Sequence, residues 1–231
     1  MAYRPSRSLR ALVLDLDGTL LDTAPGLTEA LNRTLAEAGR PSLATSDVKP
    51  MIGDGVDALI QRAASATGGP FTPERFAELT ARYRALMREA PLPAVYPGAR
   101  AVLGKLNEQG IKLAVCTNKP EAAAREVLDR TRLIPFLDAV IGADTAPLKP
   151  DPTMVRRALT MLQGESSNSA LIGDSEVDVA TARAAGLPVI LLEHGYVRGN
   201  LPEAGADAIA RGFADLPAAL ESIGLQIAIS A

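Results

Sequence analysis

Two aspartates at the end of the first apolar segment form the earliest candidate for chemistry in this chain. Asp15 and Asp17 are separated by one residue, and Gly18 follows them. In an extended backbone, side chains two residues apart point to the same side. Two neighbouring carboxylates repel each other, so one of them tends to keep a proton near neutral pH. Such a pair can supply a nucleophile beside a general acid, although two solvated aspartates at a strand end are the ordinary alternative.

A second pair of acidic residues follows a later apolar segment. Asp174 comes directly after residues 170–173, and Asp178 lies four residues further on, which is about one helical turn. Together with Asp15 and Asp17, these carboxylates would form an oxygen-only site of the kind that Mg²⁺ prefers. The alternative is an ordinary helix start, with Asp174 as the cap and Asp178 favoured by the helix dipole.

Three further polar residues could hold an anion. Thr117 and Asn118 follow an apolar segment and precede a predicted helix, whose free N–H groups favour anions. Lys149 stands between Pro147 and Pro150, and it is one of only five lysines in the chain. Capping by Thr117 and Asn118 and a solvated loop lysine are the ordinary alternatives.

Short apolar segments and amphipathic segments alternate over most of the chain, which indicates a parallel sheet covered by helices on both faces. The predicted strands are 11–15, 112–116, 139–142, 170–173 and 189–192, and the predicted helices of this part are 99–109, 120–131, 152–162, 176–185 and 215–223. We therefore predict an α/β fold with a Rossmann-like parallel sheet core.

The segment after the first strand has a different pattern. Apolar residues recur at helical spacing over 24–38, from 56 to about 67, and over 72–87, so the stretch from Leu21 to Pro91 is predicted to be purely helical. We predict an inserted all-helical cap domain over 23–92 and a catalytic core over 1–22 and 93–231. Ligands of open parallel sheets lie beyond the carboxyl ends of the strands, where Asp15, Thr117, Asp144 and Asp174 all fall.

Composition excludes several classes of protein. The 231 residues carry a net charge of −3 and only 3% aromatic residues, which argues against nucleic-acid binding. With one cysteine, Cys116, and one histidine, His194, the chain can form neither an internal disulfide nor a four-ligand zinc site. No apolar run reaches the length of a secretory core or a membrane span. We expect a cytoplasmic protein with a short solvated leader at its N-terminus, a monomer or homodimer without membrane partners.

The motifs as a set resemble those of the haloacid dehalogenase superfamily, specifically its phosphatases with a helical cap. They appear in order as Asp15-x-Asp17-Gly-Thr, Thr117-Asn118, Lys149-Pro-Asp and Gly173-Asp174-Ser-x-x-Asp178. The resemblance covers nearly the whole chain from about residue 10. Within the superfamily, Asp22-Thr-Ala-Pro, Gly53-Asp54-Gly55 and Tyr96-Pro97-Gly98 are similar to phosphoglycolate phosphatases.

The resemblance implies a role for each motif residue. Asp15 would attack phosphorus and form an aspartyl phosphate, while Asp17 would act as the general acid and then the general base. Thr117, Asn118 and Lys149 would hold the phosphoryl oxygens, and Thr19 would orient the nucleophile loop beside the substrate. Mg²⁺ would bind the Asp15 side chain, the Asp17 carbonyl and the Asp174 side chain, with Asp178 in support. The implied substrate is a small phosphorylated metabolite, with 2-phosphoglycolate favoured.

Two residues of the predicted cap are candidates for the substrate site. Gly53, in the Gly-Asp-Gly segment, is a candidate for a loop facing the nucleophile, although a plain turn explains it equally. Arg62 is a candidate for binding a substrate carboxylate, although a solvated helix arginine is the ordinary alternative. His194 could reach the site from the last predicted strand, and Cys116 reads as a small buried apolar residue.

Other activities stay open at this point. Pyrophosphate and other small phosphomonoesters fit the same motifs. A β-phosphoglucomutase shares them but uses a histidine on the helix after the first motif, where this chain has Leu27. A phosphonatase needs a cap lysine, and the only one, Lys49, precedes a proline. A dehalogenase lacks the equivalent of Asp17, and a non-catalytic regulatory fold would not need the complete motif set.

Overall fold

The computed structural model describes residues 7–227 and consists of a parallel sheet with helices around it. Its strands are β1 Arg7–Ser8, β2 Ala11–Leu14, β3 Leu21–Asp22, β4 Ala94–Val95, β5 Lys112–Cys116, β6 Ala139–Ile141, β7 Ser169–Gly173, β8 Val189–Leu192, β9 Ala208–Ala210 and β10 Leu225–Gln226. The five strands predicted from sequence are all present, with ends that differ by a residue or so.

The central sheet has six strands in the order β6-β5-β2-β7-β8-β9, and every neighbouring pair is parallel. Strand β2, the first strand of this sheet along the chain, therefore lies in the middle, between β5 and β7. Leu14 is level with Val115 on one side and Ile172 on the other. The predicted α/β class with a parallel sheet is confirmed. The edge strand β9 is missed by the sequence analysis because Ala208–Ala210 is too short to show a pattern.

Apolar residues fill both faces of this sheet. Successive side chains of a strand point to opposite faces, so Leu12 and Leu14 of β2 enter one buried cluster while Ala11 and Val13 enter the other. All four residues are fully buried. A strand buried on both faces appears in sequence as a continuous apolar run, which is why these strands are recognisable.

The helices are α1 Ala24–Glu37, α2 Thr45–Val48, α3 Val56–Ala66, α4 Pro73–Glu89, α5 Ala99–Glu108, α6 Glu121–Arg130, α7 Thr153–Leu162, α8 Glu176–Ala185 and α9 Leu216–Ser222. Local sequence explains their ends. The Thr72 hydroxyl accepts a hydrogen bond from the Arg75 amide at the start of α4, and Pro73 occupies the first helical position. Gly186 ends α8 in the left-handed conformation.

Helices α1 to α4 follow one another and share a buried apolar cluster that includes Leu31, Ile60, Tyr83 and Leu86. The prediction that Leu21 to Pro91 is purely helical is wrong at its start. Leu21–Asp22 forms β3, which pairs antiparallel with β4, the strand that follows α4 in the chain. Two-residue strands leave no periodicity in a sequence, so only the fold reveals this ribbon.

The prediction of a solvated leader needs a correction. Residues 1–6 lie outside the described residues, but Arg7–Ser8 pairs in parallel with Leu225–Gln226. Leu9 is buried in the core cluster on one face of the sheet. The chain is therefore part of the folded structure from Arg7 onward. Burial of the Leu9 side chain removes apolar surface from water, which stabilises this arrangement.

Candidate active site

The carboxyl ends of three adjacent strands bring the predicted motif residues together. Asp15 follows β2, Thr117 follows β5 and Asp174 follows β7, and all three are buried. Asp144, which follows β6, is separate from this group. Its side chain accepts a hydrogen bond from the Glu121 amide and caps α6. The convergence expected from the sequence is therefore present at three strand ends.

Lys149 reaches this strand-end cluster from the loop after β6. Its ammonium group lies 2.7 Å from the carboxylate of Asp15 and 2.7 Å from that of Asp178. The Lys149 side chain is only 3% exposed. A buried ammonium group needs such partners, because its charge has lost the surrounding water. Lys149 thus lies directly beside the predicted nucleophile.

Asp178 uses both of its carboxylate oxygens within the protein. Oδ1 accepts from Lys149, and Oδ2 accepts from the amides of Asp174 and Ser175 and from the Ser175 hydroxyl. The contact from the Ser175 amide is one half of a capping box at the start of α8. Asp178 therefore holds Lys149 and the loop after β7 in place. In the predicted metal site, Asp178 is the residue that supports the other ligands.

Asp174 is held from two sides. Its Oδ1 accepts from the Thr19 hydroxyl at 3.0 Å, and its Oδ2 accepts from the Tyr196 amide at 2.7 Å. A Cβ at Gly18 or at Gly195 would overlap the Asp174 side chain, so both glycines are needed for this close approach. Thr19, predicted to orient the nucleophile loop beside the substrate, is fully buried, and its hydroxyl orients Asp174; its place in the substrate site stays a prediction.

Asp17 has a partner that the sequence analysis missed. The Lys119 ammonium group lies 3.1 Å from each of its carboxylate oxygens. Both side chains are about 15% exposed, so this ion pair faces the open part of the site. The sequence signal was available, because Lys119 directly follows the Thr117-Asn118 motif in a chain with few lysines.

The Asn118 side chain connects two loops. Its Oδ1 accepts from the Lys149 amide at 2.8 Å, and its Nδ2 donates to the carbonyls of Gly53 and Lys149 at 2.8 and 3.0 Å. These contacts give Asn118 a positioning role for Lys149. The phosphoryl contact predicted for Asn118 stays a prediction. Gly53 lines the same cavity as Asp15, and its predicted part in substrate binding stays a prediction.

Arg62 does not stand ready for a substrate carboxylate. Its guanidinium group donates to the Met51 carbonyl and to the carboxylate of Asp54. Asp54 also accepts from Arg198, which comes from the loop after β8 and donates to the carbonyls of Pro50 and Ile52. Arg62 therefore fixes the loop that contains Gly53, and Arg198 ties that loop to the sheet.

The cluster carries more negative charge than its single lysine balances. Burial raises the pKa of Asp15 to about 7. The charge of Lys149 lowers this pKa, whereas the charges of Asp178 and Asp17 raise it further. Burial and the charges of Asp178 and Asp15 also raise the pKa of Asp174. Carboxylate oxygens of Asp15, Asp174 and Asp178 lie within 4.8 Å of one another. An oxygen-only donor set with excess negative charge fits a hard divalent cation such as Mg²⁺.

His194 and Cys116 have structural surroundings. The imidazole stacks on Tyr96 with ring centroids 3.7 Å apart, and its Nε2 lies 3.2 Å from the Thr19 carbonyl. Burial lowers the pKa of His194, so it is neutral near pH 7. Burial raises the pKa of Cys116 to about 12, which leaves its thiol unreactive.

A small cavity opens between the strand ends and the helices. It gives about 60 Å³ of space to the centres of water molecules, which is room for a ligand of few heavy atoms. Its polar lining includes Asp15, Asp17, Thr117, Asn118 and Lys119. Its apolar wall comes from the helical segment, with Leu27, Ile52, Val56 and Leu59, and the phenol of Tyr83 completes it.

Comparisons with known proteins show the family of this chain. The family model described as haloacid dehalogenase-like hydrolase matches residues 12–192. The chain is 43% identical over 220 residues to a phosphoglycolate phosphatase of Rhodospirillum rubrum, covering 90% of this chain and 89% of that protein. It is 42% identical over 211 residues to one from Caulobacter vibrioides, with the same two coverages.

A solved structure shares the fold. The crystal structure of a predicted phosphoglycolate phosphatase from Haemophilus somnus superposes with a TM-score of 0.85 at 27% identity, covering 90% of this chain and 96% of the other. Within residues 7–227, no helix combines the length and apolar character needed to cross a membrane. The strand-end cluster and these relatives lead to one conclusion: the chain belongs to the haloacid dehalogenase-like hydrolases, and within them it is a phosphatase.

Proposed function

We propose that this protein is a Mg²⁺-dependent phosphomonoester hydrolase that converts 2-phosphoglycolate to glycolate and phosphate through an aspartyl-phosphate intermediate. The observation that carries the proposal is the position of Asp15. It lies at the end of the central strand, 2.7 Å from the Lys149 ammonium group, and lines a small cavity that also contains Asp17. A nucleophile that is paired with a buried cation and a candidate proton carrier then face the same space.

In the first step, a carboxylate oxygen of Asp15 attacks phosphorus, and the bond from phosphorus to the ester oxygen breaks. The departing glycolate oxygen takes its proton from Asp17, which is therefore left ionised. In the second step, Asp17 removes a proton from water, and the resulting hydroxide attacks phosphorus. This releases phosphate and restores Asp15, so one difficult hydrolysis is divided into two easier displacements.

Charge neutralisation decides whether an anionic carboxylate can approach an anionic phosphoryl group. Lys149 supplies one positive charge beside Asp15, and Asp178 holds it there. The Thr117 hydroxyl lines the same cavity and is placed to donate to a phosphoryl oxygen. Asn118 contributes by fixing the Lys149 backbone.

The site residues fit a bound Mg²⁺, and the Asp15 side chain, the Asp17 carbonyl and the Asp174 side chain would hold it. When bound, the cation supplies further neutralisation of phosphoryl charge. Thr19 and the Tyr196 amide keep the Asp174 carboxylate in one orientation for this purpose.

The proposed cap, residues 23–92, closes the site above the proposed core, residues 1–22 and 93–231. Its apolar wall of Leu27, Ile52, Val56 and Leu59 excludes water from the cavity during the attack. The narrow space beside Asp15 supports a substrate as small as phosphoglycolate over a nucleotide. The names of the relatives from Rhodospirillum rubrum and Caulobacter vibrioides support the same substrate.

The test is phosphate release from a panel of substrates with Mg²⁺ present: 2-phosphoglycolate, pyrophosphate, β-glucose 1-phosphate, p-nitrophenyl phosphate and a nucleotide. We expect kcat/KM to be highest for 2-phosphoglycolate and to be abolished by Asp15→Asn. Asp129→Asn, an exposed aspartate on α6, is the matched control. Acid quench and mass spectrometry of Asp17→Asn should show a phosphoryl group on Asp15. Equal rates on all esters would contradict the substrate, and activity in Asp15→Asn would contradict the mechanism.

A further inference from the structure

Lys119 places a second positive charge at the cavity, in addition to that of Lys149. The two lysines are distant in the sequence and have different partners. The Lys119 ammonium group is 3.1 Å from both oxygens of Asp17, whereas Lys149 pairs with Asp15 and Asp178. Asp17 is the residue that serves the ester oxygen in the proposed reaction. Lys119 therefore lies beside the part of the substrate that leaves, not beside phosphorus alone.

The backbone of Lys119 is fixed, so its side chain alone can respond to a ligand. Its amide donates to the Thr117 hydroxyl at 3.1 Å, and its carbonyl accepts from the Ala143 amide at 3.0 Å. The side chain is 15% exposed and lines the cavity. It pairs with Asp17, and an incoming anion can share the same ammonium group because it has three donors.

Tyr83 gives an independent sign of a ligand at this place. This α4 residue is 1% exposed and lines the same cavity. Among the residues that the structure describes, none forms a hydrogen bond with its buried hydroxyl. Buried hydroxyls are nearly always paired in folded proteins, so this one is expected to find its partner in a bound molecule. Burial and the nearby charge of Asp17 raise its pKa, which keeps the hydroxyl protonated as a donor.

The other side chains of the helical wall, Leu27, Ile52, Val56 and Leu59, are apolar. Thr117 and Asn118 also line the cavity, but the Thr117 hydroxyl is assigned to the phosphoryl group and the Asn118 amide group donates to the Gly53 and Lys149 carbonyls. The Lys119 ammonium group and the Tyr83 hydroxyl are the side-chain donors that remain among the described lining residues. An ammonium group and a hydroxyl together match one carboxylate, with one oxygen for each donor.

We propose that Lys119 and Tyr83 bind the carboxylate of the substrate and thereby select phosphomonoesters that carry a carboxylate on the carbon bonded to the ester oxygen. The inference rests on the proposed function, because Asp17 must serve the ester oxygen for a carboxylate one carbon further on to meet Lys119. Lys119 and Tyr83 then have the role for which Arg62 was a candidate, because the Arg62 guanidinium group donates to the Met51 carbonyl and to the Asp54 carboxylate.

The test compares 2-phosphoglycolate with ethyl phosphate, which has the same ester carbon but a methyl group in place of the carboxylate. We expect wild-type kcat/KM to favour 2-phosphoglycolate by about 100-fold or more, since a site built for a polar group rejects an analogue that lacks it. Lys119→Met should reduce this ratio at least tenfold, with the loss mainly in KM. Tyr83→Phe should reduce it severalfold, Lys119→Arg should restore part of it, and Lys105→Met, an exposed lysine on α5, is the control.

A second readout needs no turnover of phosphoglycolate. Glycolate should inhibit p-nitrophenyl phosphate hydrolysis competitively, and Lys119→Met should raise its inhibition constant about tenfold or more. A wild-type preference for 2-phosphoglycolate that survives both Lys119→Met and Tyr83→Phe would overturn the carboxylate site while leaving the proposed function intact. Equal wild-type rates on the two esters would overturn the proposed substrate and this site together.

Discussion

The Lys149 ammonium group lies 2.7 Å from the Asp178 carboxylate, and the two side chains are 3% and 0% exposed. Neither side chain is exposed to solvent that could replace a lost partner, so each stabilises the charged form of the other. Lys149 also pairs with Asp15, and Asp178 also accepts from the loop that carries Asp174. The pair therefore joins the proposed nucleophile to the proposed metal ligand through one buried contact.

Asp178→Asn should damage both stability and catalysis. The substitution keeps the size of the side chain but removes one charge from the buried pair with Lys149. Breaking such a pair costs up to about 3 kcal/mol of unfolding free energy, because the buried ammonium group loses one of its two charged partners and keeps only Asp15. Urea denaturation measures this loss, and kcat should fall with it because Lys149 is no longer held beside Asp15.

The matched control for that substitution is Asp57→Asn, which breaks an exposed ion pair with Arg84 at 3.2 Å. Exposed pairs contribute about 0.5 kcal/mol or less. Equal losses in Asp57→Asn and Asp178→Asn would contradict the importance given to the buried pair.

Tyr196→Phe should destabilise the junction between the sheet and α1. The Tyr196 hydroxyl accepts from the amides of Thr23 and Ala24 at 2.9 and 3.0 Å and donates to Asp22 at 3.0 Å. Its loss removes the acceptor of the buried Ala24 amide, whereas the Thr23 amide keeps the Leu21 carbonyl at 3.1 Å, so the cost should be about 1–2 kcal/mol of unfolding free energy. Tyr96→Phe removes only a 3.4 Å contact to the His194 carbonyl and should cost much less. A smaller loss in Tyr196→Phe than in Tyr96→Phe would refute this account.

Arg198→Gln should weaken substrate binding more than it weakens the fold. Arg198 holds the loop with Asp54 through that carboxylate and through the Pro50 and Ile52 carbonyls. Its side chain is 32% exposed, so solvent screens the pair and the stability loss should stay below about 1 kcal/mol. We expect KM to rise about fivefold, because the loop opposite Asp15 loses its tie to the sheet.

Steady-state kinetics test this prediction, with Arg183→Gln as the control. Arg183 forms a similar ion pair with Asp207 and is 49% exposed. A KM that changes equally in the two variants would show that the Arg198 contacts are not specific to substrate binding.

The pH dependence of stability should reveal the strand-end cluster in metal-free protein. Burial raises the pKa of Asp15 to about 7 from 3.8. Between these values the folded state binds more protons than the unfolded state, so this group's contribution to the unfolding free energy falls as pH rises. Mg²⁺ should therefore raise the melting temperature more at about pH 7.5 than at about pH 5.

Asp15→Asn isolates this contribution in thermal denaturation with and without Mg²⁺. The comparison is needed because burial lowers the pKa of His194, and that group acts in the opposite direction below about pH 6.5. The variant should lose most of the difference in Mg²⁺ response between the two pH values. Parallel curves for variant and wild type would contradict the assignment.

The amino-acid sequence by itself determined the class of fold and the motif residues at the strand ends. The apolar runs that precede Asp15, Thr117 and Asp174 are buried on both faces of the sheet, and such runs are visible without any structure. Parallel strands end at one edge, so polar residues directly after them must meet. That reasoning depends only on local pattern, and it succeeds for these three positions.

Tertiary structure alone decided which side chains pair. The sequence analysis left Arg62 open between a substrate carboxylate and a solvated helix position. The structure pairs it with Asp54, which also accepts from Arg198, 144 residues away from Asp54 in the chain. The sequence analysis missed the pairing of Tyr196 with Asp22, which are 174 residues apart, and that of Lys119 with Asp17, 102 residues apart. A periodic pattern reports which residues are buried, whereas the partner of a polar group depends on which distant loops the packed core brings within hydrogen-bond distance.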